Sequence, residues 1–405
     1  MDDRRLLFGA AALRATGTSL FGVLLGIYLA ELGHSGGEIG AVSAAGLAGA
    51  AAAALAVTFR GDRWGRRRTL VGLALLAAVA GAALLFLRSP WALAAVAFLG
   101  MANAMGRDRG ASAVIEQASL PATVPPERRT LAFAWYAALQ DGGHALGSLL
   151  AGLPALLAGV LALSQVAAGR ATLALYPLLL AAAVPLYLRL SPALEVAAEA
   201  RGRKLGPAAR RIVTRISLLF ALDGIGGGFL VTTLLSYYFF ERFGAPPGAV
   251  ALLFFAARLA NLLSNFGAAW LARRFGLVNT MVFTHIPASL LLVAVAFVPT
   301  FALAAALFLL REMLVEMDVP TRQSYVMAVV EPEERTAAAG VTNLVRLGGW
   351  AAGPALAGWT MEHWSLGAPL LLGAAIKIVY DLLLWTAFRR VKPPEERELG
   401  KVAAS

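Results

Sequence analysis

A charge interrupts each of two glycine-rich apolar stretches. Arg14 stands in GAAALRATGTSLF and Asp223 in LLFALDGIGGGFL. Aligned as LRATGTSLF on LDGIGGGFL, the two opposite charges occupy equivalent positions. A third stretch, NAMGRDRGASAVIEQ, carries Arg107, Asp108, Arg109 and Glu116. A fourth, REMLVEMDVPTRQSY, carries Arg311, Glu312, Glu316, Asp318 and Arg322. Ionisable groups kept from water pair with one another, contact a ligand or carry protons.

Helical periodicity sorts these residues. Asp108, Ser112 and Glu116 share one face at i, i+4 and i+8. Arg311, Asp318 and Arg322 share a stripe, and Glu312 and Glu316 lie about a quarter-turn away. Asp318 precedes Arg322 by four residues, a favourable order for an ion pair. Pro320 has no N–H, so it frees the carbonyl of Glu316 and predicts a bend. Two readings stand for these groups: substrate or coupling contacts that change between states, or ion pairs that only hold a bundle together. For Arg14 the second reading is a side chain snorkelling to the surface. Lys377 and Asp381, four apart, read as a local pair. His285, beside Pro287, reads as a hydrogen-bonded packing histidine. No two histidines have zinc-ligand spacing.

The elements that must position these groups are apolar and long. Hydrophobic residues make up 59% of 405, charged residues 15%, and the mean hydropathy is +0.71. A soluble domain has roughly 45–50% and 25%. Apolar runs of about 20 residues, enough to span a bilayer as helix, recur throughout. Twelve spans are expected, near 6–31, 38–59, 69–88, 91–119, 130–154, 170–190, 212–240, 248–271, 278–298, 300–329, 336–360 and 367–388. Those at 91–119 and 300–329 exceed the bilayer and are expected to tilt or protrude. Continuous apolar runs, not alternation, argue against a β-barrel. The fold class is all-α, a polytopic membrane protein.

Charge placement orients it. With the N-terminus inside, three basic residues, Arg88, Arg170 and Arg242, fall outside, against about 24 of the 35 Lys and Arg on the inner side. Both termini are therefore expected in the cytoplasm, with a bacterial cytoplasmic membrane as the location and the first span retained as a helix. This placement makes the +11 charge topogenic, which argues against nucleic-acid binding. Cysteine is absent. No phosphate loop, HExxH or nucleophile elbow appears, so an enzyme and a bound cofactor are not expected.

The chain is internally duplicated. Residues 116–152 align without gaps on 322–358, with about fifteen of 37 positions identical. Gln117, Pro126, Glu127 and Arg129 match Gln323, Pro332, Glu333 and Arg335. Gly142, Gly143, Gly147 and Gly152 match Gly348, Gly349, Gly353 and Gly358, and the rows four apart suit close helix packing. The copies run in the same direction, so they should relate by an axis along the membrane normal. The hydrophilic segment 191–211 divides the halves: 1–190, the linker, 212–390, then a tail at 391–405. Between the second and third spans DRWGRRRTL (62–70) aligns on RRFGLVNTM (273–281), keeping Gly65 as Gly276 but putting Arg273 at the place of Asp62.

In these features the chain resembles the major facilitator superfamily across nearly its whole length. Asp62-Arg63-Trp64-Gly65-Arg66-Arg67-Arg68 fits the family's motif between helices 2 and 3, with Thr58 where its first glycine would stand. The resemblance implies alternating access around a central site lined by helices 1, 4, 7 and 10. The expected substrate and coupling residues are Arg14, Asp108, Arg109, Asp223, Arg311, Glu312, Glu316 and Asp318. Gln140, Asp141, His144, Asn343 and Arg346 are placed to reach the cavity wall. It further implies a gating latch of Asp62, Gly65, Arg66 and Glu116. Asp62 would face the start of helix 11, and Arg66 would meet Glu116 at the end of helix 4. Gly353-Pro354-xxx-Gly358 resembles the family's antiporter motif and favours efflux. The implied function is secondary transport of a small solute, coupled to protons, by a monomer in lipid. A non-transporting sensor or scaffold is the alternative.

Overall fold

The structure is a computed structural model that describes residues 2–125, 128–195, 206–317 and 335–388. The described residues are helical with short joints, and no strand occurs among them. The helices are α1 (Asp3–Glu31), α2 (Gly36–Trp64), α3 (Arg66–Leu84), α4 (Pro90–Leu99), α5 (Ala111–Ser119), α6 (Arg129–Leu150), α7 (Leu153–Leu161), α8 (Gln165–Leu173) and α9 (Leu175–Leu188). They continue with α10 (Pro207–Gly228), α11 (Thr232–Phe243), α12 (Pro247–Phe275), α13 (Leu277–Phe297), α14 (Phe301–Val315), α15 (Arg335–His363) and α16 (Ala368–Phe388). Among the described residues, each expected span meets a helix or a broken pair of helices, the tenth only over its first half. Among the described residues, eight such segments are long and apolar enough to cross a bilayer.

Local sequence explains the boundaries. Asp2 caps α1 through the Arg4 amide, and Ser35 with Glu38 forms a capping box on α2. Gly65 joins α2 to α3 at φ +86°, and Gly276 joins α12 to α13 at φ +85°. That left-handed region is open to glycine without a Cβ clash, so the matched glycines of the duplicated loop make the same turn. Trp91, Phe86, Phe297 and Val160 are exposed by 82, 77, 71 and 72%. Such an apolar outside suits hydrocarbon rather than water.

One compact unit comprises Met1–Ala200, Leu230–Arg258 and Ala351–Leu366. At its centre α1 is buried along most of its length, packed by α6 and α9. Gly143 and Gly147 let α6 approach α1 closely: a Cβ on Gly143 would stand 2.7 Å from the Ala12 carbonyl, and one on Gly147 would meet that of Thr16. The second unit comprises Arg201–Phe229, Leu259–Trp350 and Gly367–Ser405. Its core includes Ile216, Phe220, Met281, Val282, Tyr380 and Leu384, from α10, α13 and α16. Here Gly349 of α15 lies against Ala221 of α10, as Gly143 lies against α1. The units do not coincide with the sequence halves, because residues 230–258 and 351–366 pack within the first.

The fourth span departs from expectation. It is not one long helix but stops at Leu99 and resumes at Ala111. Residues 100–110 hold three glycines, and Met101 and Gly106 have φ of +54° and +65°. The tenth span is helical to Val315, and its continuation lies outside the described residues.

Candidate functional site

Arg14 sits twelve residues into the chain from Asp2, about 18 Å along α1 at 1.5 Å per residue. It is 4% exposed. Its guanidinium reaches inward, not to a surface, so the snorkelling reading is excluded. Nη1 and Nη2 donate to the two oxygens of Glu116 at 2.5 and 2.9 Å. This is a forked, charge-assisted pair, the strong form of such contacts. Nη2 also donates to Asp108 at 2.7 Å, and Nη1 to the Tyr187 hydroxyl. Tyr187 and Tyr136 each donate to Glu116 at 2.7 Å. Glu116 is wholly buried, and four donors satisfy its two oxygens.

The broken span explains how two acids meet one arginine. Glu116 lies on α5, whereas Asp108 lies in the non-helical segment before it. The expected helical face of Asp108, Ser112 and Glu116 therefore does not form, yet both carboxylates converge on Arg14. The segment is braced. Asn103 donates to the Arg107 carbonyl at 2.6 Å and accepts from Met105 N–H at 2.9 Å. The Asp108 amide donates to His144 Nε2 at 2.9 Å. Thr232 donates to the Met105 carbonyl at 2.7 Å, and the Thr233 amide to that of Ala104 at 3.1 Å. Irregular backbone at membrane depth is tolerated where protein satisfies it in this way. Arg109 lies half-buried in the same segment.

In the other unit the polarity is reversed. Asp223, 1% exposed, accepts from Arg346 Nε and Lys377 Nζ, both at 2.9 Å. The Arg346 guanidinium lies 4.3 Å from the Trp350 ring centroid. Thus the cation on α1 is held by acids, and its counterpart on α10, an acid, is held by cations. Lys377 and Asp381 do not form the expected local pair. Lys377 turns to Asp223, and Asp381 to His285 at 3.0 Å. Arg311 pairs with its neighbour Glu312, which accepts from Asn261 at 2.9 Å. Glu316 ends α14, half-buried, and Asp318 and Arg322 lie outside the described residues.

The latch is rearranged. Gly65 makes the turn, and the side chain of Asp62 lies outside the described residues. Glu116, held by Arg14 and the two tyrosines, is not the partner of Arg66. Arg66 instead donates through Nη1 to the Ala118 carbonyl at 3.2 Å, a cation at the last turn of α5. Glu195, the first acid of the linker, accepts from the amides of Arg66 and Arg67 at 2.7 and 3.2 Å. Sequence reasoning did not single out Tyr136, Tyr187 or Glu195. The tyrosines are uncharged and look like apolar filling, and the linker acid has no periodic partner.

The comparisons agree with this architecture. The chain matches the family profile of the Major Facilitator Superfamily over residues 7–346 and again over 216–404. It is 23% identical to an uncharacterized membrane protein of Saccharomyces cerevisiae, YJR124C, covering 98% of this chain and 97% of that protein. Its fold superposes on the nucleoside transporter NupG with a TM-score of 0.74 at 17% identity, covering 96% and 99% of the two chains. It superposes on an auto-inhibited POT family peptide transporter with a TM-score of 0.74 at 13% identity, covering 97% and 98%. The chain belongs to the Major Facilitator Superfamily and is an integral membrane protein of that transporter family.

Proposed function

We propose that the protein is a secondary active transporter that moves a small solute by alternating access, driven by protons. One observation carries this reading: the buried Arg14–Glu116–Asp108 cluster at a break in the fourth span. Discontinuous helices with buried charge mark substrate and ion sites in membrane transporters. A cluster built only for rigidity has no need of irregular backbone at its centre. Arg14, Asp108 and Arg109 in one unit, and Asp223, Arg311, Glu312, Glu316 and Asp318 in the other, are the proposed substrate and coupling residues. Glu116 joins the first set through its bond to Arg14. Asp62, Gly65 and Arg66 remain the proposed gate, now with Glu195 as the acid on that loop.

The charge count supports both termini on the cytoplasmic side of a bacterial cytoplasmic membrane. Export is favoured over uptake on the Gly353-Pro354-xxx-Gly358 element. That element also has a packing role, since a Cβ on Gly358 would meet the Gly36 carbonyl. A screen of small solutes against the melting temperature of the purified protein tests the reading, because a ligand of the native state raises apparent stability. A solute that stabilises wild type and not Arg14→Gln supports it. Stabilisation equal in both proteins would remove the cluster from the site.

A further inference from the structure

The second unit holds a buried histidine that the transport reading does not use. His285 of α13 is 2% exposed, and Asp381 of α16 is fully buried. His285 Nδ1 lies 3.0 and 3.1 Å from the two Asp381 oxygens. Its Nε2 lies 3.4 Å from Lys377 Nζ, whose other contact is the 2.9 Å bond to Asp223. An ammonium offers three donors and no acceptor. Nε2 must therefore present its lone pair to Lys377, and the imidazole proton sits on Nδ1, donated to Asp381. The network assigns this tautomer.

With Nδ1–H given to Asp381, Nε2 is the ring nitrogen that can take a proton. From α16 come Asp381 and Lys377, with the Tyr380 ring edge-on at 6.3 Å between centroids. From α10 comes Asp223, behind Lys377. From α14, also packed on α13, come Arg311 and Glu312, which bond each other, and Glu312 accepts from Asn261. A proton on Nε2 makes an imidazolium whose N–H points at an ammonium 3.4 Å away. The Lys377–His285 hydrogen bond is then lost, and like charge drives Lys377 off. Asp223 is the remaining acceptor of Lys377 and also holds Arg346.

We propose that His285 Nε2 is a proton-binding site that signals to Asp223 through Lys377. It rests on the transport reading in that Asp223 is taken as a coupling residue. One N–H bond forms on Nε2, one hydrogen bond breaks, and Asp381 balances the new charge.

The test uses the full-length protein in detergent with no solute. Nitrogen-15 magnetic resonance distinguishes a neutral Nδ1–H imidazole from an imidazolium, and His285→Gln identifies the signal. If that variant fails to fold, replacing His34, His144 and His363 by Gln leaves only the His285 signal. On acidification the His285 signal should change from neutral Nδ1–H to charged. The Lys377 Nζ signal and the Trp350 emission should shift with it, and both shifts should vanish in His285→Gln. A His285 with its proton on Nε2 at the higher pH overturns the proposal. So does a change of His285 charge that leaves Lys377 and Trp350 unmoved. Neither readout needs transport, so failure of a flux assay is a separate outcome.

Discussion

The two carboxylate oxygens of Glu116 take the guanidinium of Arg14 and the hydroxyls of Tyr136 and Tyr187. Glu116→Gln leaves the Arg14 guanidinium with Asp108 as its one carboxylate. With that pair kept, the loss is that of charge-assisted hydrogen bonds, about 1.5–3 kcal/mol, and the melting temperature should fall accordingly. A variant as stable as wild type would show that the fork contributes little. Asp223→Asn tests the opposite unit. It should lower proton-coupled flux several-fold while membrane expression stays near wild type, and unchanged flux would remove Asp223 from the coupling residues. Lys377 and Asp381 looked like a local pair because spacing reports only which side chains can meet. The competing partners, Asp223 and His285, lie on other helices, and spacing along α16 does not report them.

At the scale of elements, twelve apolar runs placed the helices well, since apolar length is what a bilayer requires. The break at 100–110 was hidden for the same reason: hydropathy does not record a missing helical hydrogen bond. Its traces were Gly100, Gly106 and Gly110 around Asn103, a side chain that bonds backbone at both ends. Matched glycines were more informative. Gly65 and Gly276 make the same turn at positive φ, and Gly143 and Gly349 the same close approach, where a Cβ would strike a backbone carbonyl. Gly147→Val should force α6 from α1 and cost about 1–3 kcal/mol as overpacking. A melting curve checks this, and an unchanged midpoint would mean that the helices part without strain.

For the whole molecule, duplication predicted two related halves, and it also exposed their difference. The first unit centres on a cation held by acids, and the second on an acid held by cations. The structural units cut across the sequence halves, a division that no repeat alignment records. Orientation can be read directly, because the chain has no cysteine. A cysteine introduced as Ala403→Cys should react only with permeant reagent in intact cells. One introduced as Gly244→Cys, between α11 and α12, should react with impermeant reagent as well. The reverse pattern would invert the topology. If solute movement is proton-driven through the Arg14–Glu116 cluster, lumenal pH in proteoliposomes reports it. On addition of a solute that stabilises the protein, wild type should move solute and protons together, and Glu116→Gln should move neither. Solute movement indifferent to the pH gradient, or equal in the variant, would contradict the account.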